Sequence, residues 1–98
     1  MPYEVFLSNR GNPDRYQDSD HPLPGTESDY WVSCATIEEA QHVACEYRDD
    51  NHLGSGNMGL GSDVRDAETQ EIVGRVSYNG RFRPEDGSDL EEAPPPGM

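Results

Sequence analysis

Tyr3, Val5 and Leu7 alternate with Glu4, Phe6 and Ser8 at the start of the chain. That period of two predicts a half-buried strand. "DYWVSCA", residues 29–35, alternates in the same way, with Tyr30, Val32 and Cys34 facing one side and Trp31 and Ser33 the other. The period changes in "TIEEAQHVACEYRDDN", residues 36–51, where Ile37, Ala40, Val43, Ala44 and Tyr47 fall on one side of a helix. Thr36 and Glu39 form a capping box ahead of it, and Glu38 and Glu39 lie in the first turn, where the helix dipole favours acids. A short strand is predicted around Val64, a turn at "AETQ", and the longest strand at "EIVGRVSY". Asn79-Gly80 then predicts a two-residue type I′ hairpin leading into a last short strand at 81–83.

The stretch between the first two strands, "RGNPDRYQDSDHPLPGTES" (10–28), has no periodicity and is punctuated by Asn12-Pro13, Pro22, Pro24 and Gly25. A connection this long inside a small domain is expected to be functional or disordered. Together the elements predict an α+β fold: a small antiparallel sheet of four or five strands in β-β-α-β-β order, with one amphipathic helix on one face. Such a two-layer sandwich leaves the second sheet face without a helix. If Val5, Leu7, Val32, Ile72, Val76 and Tyr78 face the helix, alternation turns Phe6, Trp31 and Val73 to the uncovered side.

Composition narrows the function classes. The chain has 98 residues, 32% of them hydrophobic, enough for one modest core. The ordered domain is expected to span residues 1–83. Residues 84–98 carry Glu85, Asp86, Asp89, Glu91 and Glu92, a run of prolines, and Leu90 as the only large aliphatic, which predicts a disordered acidic tail. Net charge is −13; with the five tail acids set aside, fifteen acids against seven arginines leave −8 on residues 1–83. Every basic residue is arginine. A nucleic-acid footprint is therefore absent, and the field favours partners with basic surfaces. Mimicry of nucleic acid, solubility and a high-salt cytoplasm all fit that charge. No apolar run reaches membrane-spanning length and the first residues lack a signal-peptide core, so a cytoplasmic location is expected. Cys34 and Cys45 are expected to be free thiols there.

Little else in the chain suggests chemistry. Gly54, Gly56 and Gly59 spell the dinucleotide-binding string G-x-G-x-x-G, but a helix precedes them and a strand follows, the reverse of what a phosphate site needs. Asp49, Asp50 and Asp63 flank the loop, and the glycines read instead as helix C-capping and a turn. Cys34, His42, Cys45 and His52 lack zinc-site spacing. The acids of "NPDRYQDSD" lack the calcium-loop glycine and twelfth-position glutamate. No thiol sits in a field that would lower its pKa. No catalytic, cofactor or metal site is expected.

In size, acidity, one helix on a small sheet and lack of a catalytic constellation, the whole chain resembles small acidic inhibitors from phages and mobile elements, of the anti-CRISPR and anti-restriction kind. "VRDAETQEIVGRVSY" also resembles a hairpin of uncharacterised bacterial domains, with Gln70 where a turn glycine is usual. The resemblance implies a non-enzymatic inhibitor that binds a basic protein surface of a nucleic-acid-processing complex. Phe6, Trp31 and Val73 are the candidate anchors, and Asp14, Asp18, Asp20 and Glu27 the steering acids. The competing expectation is a small interaction or structural module, a homodimer through the uncovered sheet face.

Overall fold

A computed structural model describes residues 2–58 and 61–96. Gly59, the last glycine of the fingerprint string, lies outside the described residues. Five strands form one sheet: β1 Tyr3–Leu7, β2 Tyr30–Cys34, β3 Ser62–Asp66, β4 Ile72–Val76 and β5 Phe82–Pro84, in spatial order β2-β1-β3-β4-β5 with every pair antiparallel. The main helix, α1 Ile37–Asp50, lies over β1 and reaches β2 and β4. The predicted α+β sandwich is therefore the observed architecture. β5 is the short last strand expected at 81–83, so the β-β-α-β-β order is extended by one strand, and the chain adds a 3-10 turn at Pro13–Arg15 and a one-turn helix, α2 Ser55–Met58.

Local chemistry explains where α1 begins and ends. Thr36 Oγ1 accepts from Glu39 N at 3.0 Å, while Glu39 Oε2 accepts from Ala35 N at 3.1 Å. Past the C-cap Asn51, His52 takes φ 53°, so that Leu53 N reaches Arg48 O at 2.9 Å and His52 N reaches Asp49 O at 3.3 Å. This is the Schellman arrangement, with buried Leu53 as its hydrophobic closure. His52, rather than a glycine, supplies the left-handed residue. Gly56 matters for close approach instead. A Cβ there would overlap the Asn12 side-chain amide, so the backbone of α2 lies directly against that side chain.

The core is Val5, Leu7, Cys34, Ala40, Ala44, Tyr47, Leu53, Met58, Val64, Val76 and Phe82, with Val32, Ile37 and Val43 packed on it. Phe82 is fully buried and lies against Gly74, whose missing Cβ makes room for its ring. The predicted helix stripe is entirely in this layer, and so are Val5, Leu7, Val32 and Val76.

Three face assignments are corrected. A register shift between Val64 and Arg65 pairs Arg65 with Ile72 and skips Val73. This bulge inverts the phase of the strand's first residues. Val73, expected on the uncovered face, packs on the core, and Ile72, expected beneath the helix, is exposed. Tyr78 is also exposed, because β4 ends at Val76 and Tyr78 already belongs to the turn. That turn differs from the expected type I′: Gly80 alone has positive φ, with Gly80 N bonded to Ser77 O and Ser77 N to Arg81 O. It is a three-residue hairpin closed by a left-handed glycine.

The domain also extends past residue 83. Ala93 exchanges backbone bonds with Phe82, N to O at 2.9 and 3.1 Å, and Leu90 and Ala93 pack against the core. The buried Gln41 amide donates to Gly80 O at 3.0 Å and Pro94 O at 2.8 Å, and Arg81 pairs with Glu92 at 3.0 Å. The segment expected as a disordered tail is, through residue 96, a strap over β5 and α1. Backbone bonds, the Gln41 amide and the Arg81–Glu92 pair hold it, together with the small apolar contact of Leu90 and Ala93.

Candidate functional site

The sheet face away from α1 is built by the residues that alternate with the core positions. Phe6 and Trp31 stand opposite each other across β1 and β2, with ring centroids 4.9 Å apart and planes tilted by 48°. Both are half-buried and neither joins the core cluster. From β3, Arg65 lays its guanidinium over the Trp31 indole, 3.8 Å from the ring centroid, while its Nε bonds Glu4 Oε1 at 2.8 Å. Glu4 holds the guanidinium in place, and the indole face attracts it. The result is an ordered stack of Phe6, Trp31 and Arg65 with an aromatic surface open to solvent.

The other half of this face is charged. Arg75 Nε bonds Asp63 Oδ1 at 3.0 Å, and Arg83 stands directly opposite Arg75 in the β4–β5 register. Like charges so placed disfavour each other, and Asp63 offsets one of them. Both arginines, with Ser77, Tyr78, Asn79, Pro84 and Glu85, line a shallow cleft of about 580 Å³. Acids and bases therefore nearly balance on this face in a chain of net charge −13. The excess acid lies on the outer side of α1 (Glu38, Glu46, Asp49, Asp50), the 10–28 loop and the C-terminal strap.

Comparisons of this chain with protein-family models, with curated proteins and with solved structures give no match. The site is read from its own residues.

The sequence-predicted residues divide into separate groups. Phe6 and Trp31 come together; Val73 is turned away by the bulge. Asp14, Asp18, Asp20 and Glu27 lie in the 10–28 loop. The loop that carries them is tied to the helix layer. Asn9, 1% exposed, donates to Tyr47 Oη at 2.7 Å and Thr26 Oγ1 at 3.1 Å, and accepts from Leu23 N at 2.8 Å. Asn57 Nδ2 donates to Arg10 O at 2.9 Å and Gln17 Oε1 at 3.1 Å. Leu23 packs on the core. The loop is therefore ordered by buried amides although its sequence has no periodicity.

Sequence reasoning missed Glu4, Asp63, Arg65, Arg75 and Arg83. The signal was present: the alternation that turns Trp31 outward also turns Asp63 and Arg65 outward around Val64.

The remaining candidates are dispersed. Burial pushes the Cys34 thiol up to about 11, and burial also raises Cys45. Both are free, so neither is poised as a thiolate. His42 faces Glu38 on the exposed side of α1, and His52 is at its C-terminus. No group of His, Cys, Asp and Glu suited to a metal ion occurs among the described residues, and none of their helices is long and apolar enough to cross a membrane.

One ion pair at the edge of the site gives a pH prediction. Arg10 bonds both Asp29 oxygens, at 2.7 and 2.9 Å, and Ser28 Oγ donates to Asp29 Oδ1 at 2.8 Å. The Arg10 hydrogen bond, then that of Ser28, holds the Asp29 carboxyl well below the usual range. A depressed carboxylate contributes stability above its unfolded pKa of about 4, and loses it as pH falls toward the folded value. In a carboxyl NMR titration Asp29 is expected to stay ionised below the ordinary range, and Arg10→Gln to raise its midpoint. An unchanged midpoint in the variant would refute the pair.

Proposed function

We propose that this chain is a non-enzymatic protein-binding module whose contact surface is the open sheet face, anchored by Trp31 and Phe6. The observation that carries this reading is the Phe6–Trp31–Arg65 stack, half-buried on a sheet face that no helix covers among the described residues. Half-buried aromatics and arginine are the residues that dominate interface energies. Here Glu4 and the sheet pre-organise them, which lowers the ordering cost of association.

The acidic remainder of the surface favours a partner whose surroundings are basic, and it acts on association rate more than on the bound contact. An inhibitor that occupies the basic surface of a nucleic-acid-processing complex is the partner class this charge supports. Asp14, Asp18, Asp20 and Glu27 then steer from the 10–28 loop.

The test begins with affinity capture from the native host, followed by titration of the captured partner against variants. Trp31→Ala is expected to weaken binding by about 2 kcal/mol or more, roughly 30-fold in Kd, with circular dichroism and melting temperature retained. Replacing the four loop acids is expected to slow association at low salt and leave dissociation unchanged. Full affinity in a folded Trp31→Ala protein would remove the open face from the interface. Binding indifferent to salt and to the loop acids would remove the inhibitor reading.

A further inference from the structure

The two edges of the sheet are treated in opposite ways. At β5, Phe82 turns its backbone outward, but its N–H and C=O are both bonded to Ala93, and Pro84 has no N–H to offer. The strand is three residues long and carries Arg83. Shortness, charge, proline and a covering segment are the devices by which sheets prevent edge pairing.

None of them is present at β2. "YWVSC" has no charged residue, in a chain that is 28% charged. It has no proline, no bulge against β1, and no strand on its outer side among the described residues. The direction of its backbone groups follows from the ladder. Ala67 N bonds Pro2 O at 2.9 Å, which turns the even-numbered residues of β1 toward β3 and the odd-numbered ones toward β2. Tyr3, Val5 and Leu7 therefore bond to their register partners Cys34, Val32 and Tyr30. Trp31 and Ser33 turn their N–H and C=O to the free edge. The next outward N–H, that of Ala35, is already taken by Glu39.

We infer that β2 is a self-pairing edge: two copies of this chain join antiparallel through β2 about a two-fold axis at Val32. The axis sets Trp31 of each copy opposite Ser33 of the other, and the open backbone groups of each residue meet those of the other. Side-chain size fits the same register. Ser33 is small and leaves room on the open face for the other copy's indole. The absence of charge on β2 keeps like charges out of the contact itself, although the two acidic chains still repel at longer range. An isologous pairing of this kind makes one continuous sheet and sets the two Phe6–Trp31 stacks side by side. The inference concerns the backbone edge of β2, and it stands whether or not the open face binds another protein.

Sedimentation of the full chain across micromolar to sub-millimolar concentrations tests it. A monomer–dimer equilibrium about the 10.9 kDa chain mass is expected, tighter at higher salt because screening relieves the repulsion of the two copies. Ser33→Pro removes an outward N–H on each side of the axis, and dimerisation is expected to weaken about 30-fold or more. Ser33→Lys, which keeps the backbone and adds a charge to the edge, is expected to weaken it as well, and both variants are to be checked for an unchanged fold by circular dichroism. Val32→Cys gives a positive readout: facing residues of an antiparallel pair on the axis are close enough for a disulfide, so this variant is expected to cross-link on oxidation where the parent chain does not. The inference is overturned by a monomer at every concentration in both salts, by a dimer indifferent to both Ser33 variants, or by a Val32→Cys protein that stays uncross-linked. It is overturned equally if β2 pairs only with a strand of a different protein.

Discussion

Truncation after Pro84 is expected to destabilise the domain by about 3 kcal/mol or more, lowering its melting temperature by more than about 10 °C for a chain of this size. The loss has three sources. Phe82 N and O lose both bonds to Ala93, at a fully buried residue. The Gln41 amide loses Pro94 O and the longer contact to Ala93 O, and keeps only Gly80 O. Leu90 and Ala93 leave the core they cover. Unmet buried polar groups account for more of this than apolar area, since a partly satisfied amide costs more than its hydrogen bond contributed. Ala93→Pro in the full chain tests half of the first source, because it deletes the donor to Phe82 O and leaves the acceptor of Phe82 N in place. A thermal melt of the truncated chain within a few degrees of the parent would show that the strap is undocked in solution.

The strap illustrates why composition and placement part company here. Residues 84–98 have the acids and prolines of a disordered segment, and nothing in their hydropathy marks Ala93 as a bridge residue. The residue that receives the strap, Gln41, is polar and lies beside the apolar stripe of α1, so a periodicity argument passes over it. By contrast α1, β1 and β2 were legible because their apolar positions keep a strict period and the helix start uses the expected capping residues. The first half of the sheet therefore follows from alternation alone, and Phe6 and Trp31 were placed on the correct face by it.

Alternation failed where the backbone departs from a regular ladder. A single bulge between Val64/Arg65 and β4 exchanged the environments of Ile72 and Val73, and Gly74 in mid-strand is the one residue of "EIVGRV" that hints at it. The arginines of the open face were legible in principle, because the phase that places Trp31 also places Arg65. They were obscured by the net charge, which directs attention to acids. The free edge of β2 depends on which strands are neighbours, and strand order is not contained in the pattern of any one strand.

Asn9→Ala is expected to cost about 3 kcal/mol and to release the 10–28 loop. Asn9 follows β1 closely and is buried, and its amide meets three residues in two parts of the chain: Tyr47 in α1, and Thr26 and Leu23 in the loop. Its backbone N–H donates to Ser28 Oγ at 2.9 Å, which closes the far end of the loop. Alanine leaves that backbone bond in place and strands Leu23 N without its acceptor. Tyr47 Oη keeps its bond to Glu27 O at 2.6 Å but loses its only donor among the described residues. Tyr47 itself is core and packs edge-on to Tyr30, so the disturbance reaches the β2 side of the sheet. Hydrogen exchange separates this from a uniform loss of stability: protection is expected to fall first at Leu23 and Thr26, before the β1–β3 ladder. Asn9→Asp is expected to be at least as harmful, since a carboxylate can accept from Leu23 N but cannot donate to Thr26 or Tyr47. If both variants melt with the parent and keep the loop amides protected, Asn9 does not hold the loop that carries Asp14, Asp18, Asp20 and Glu27.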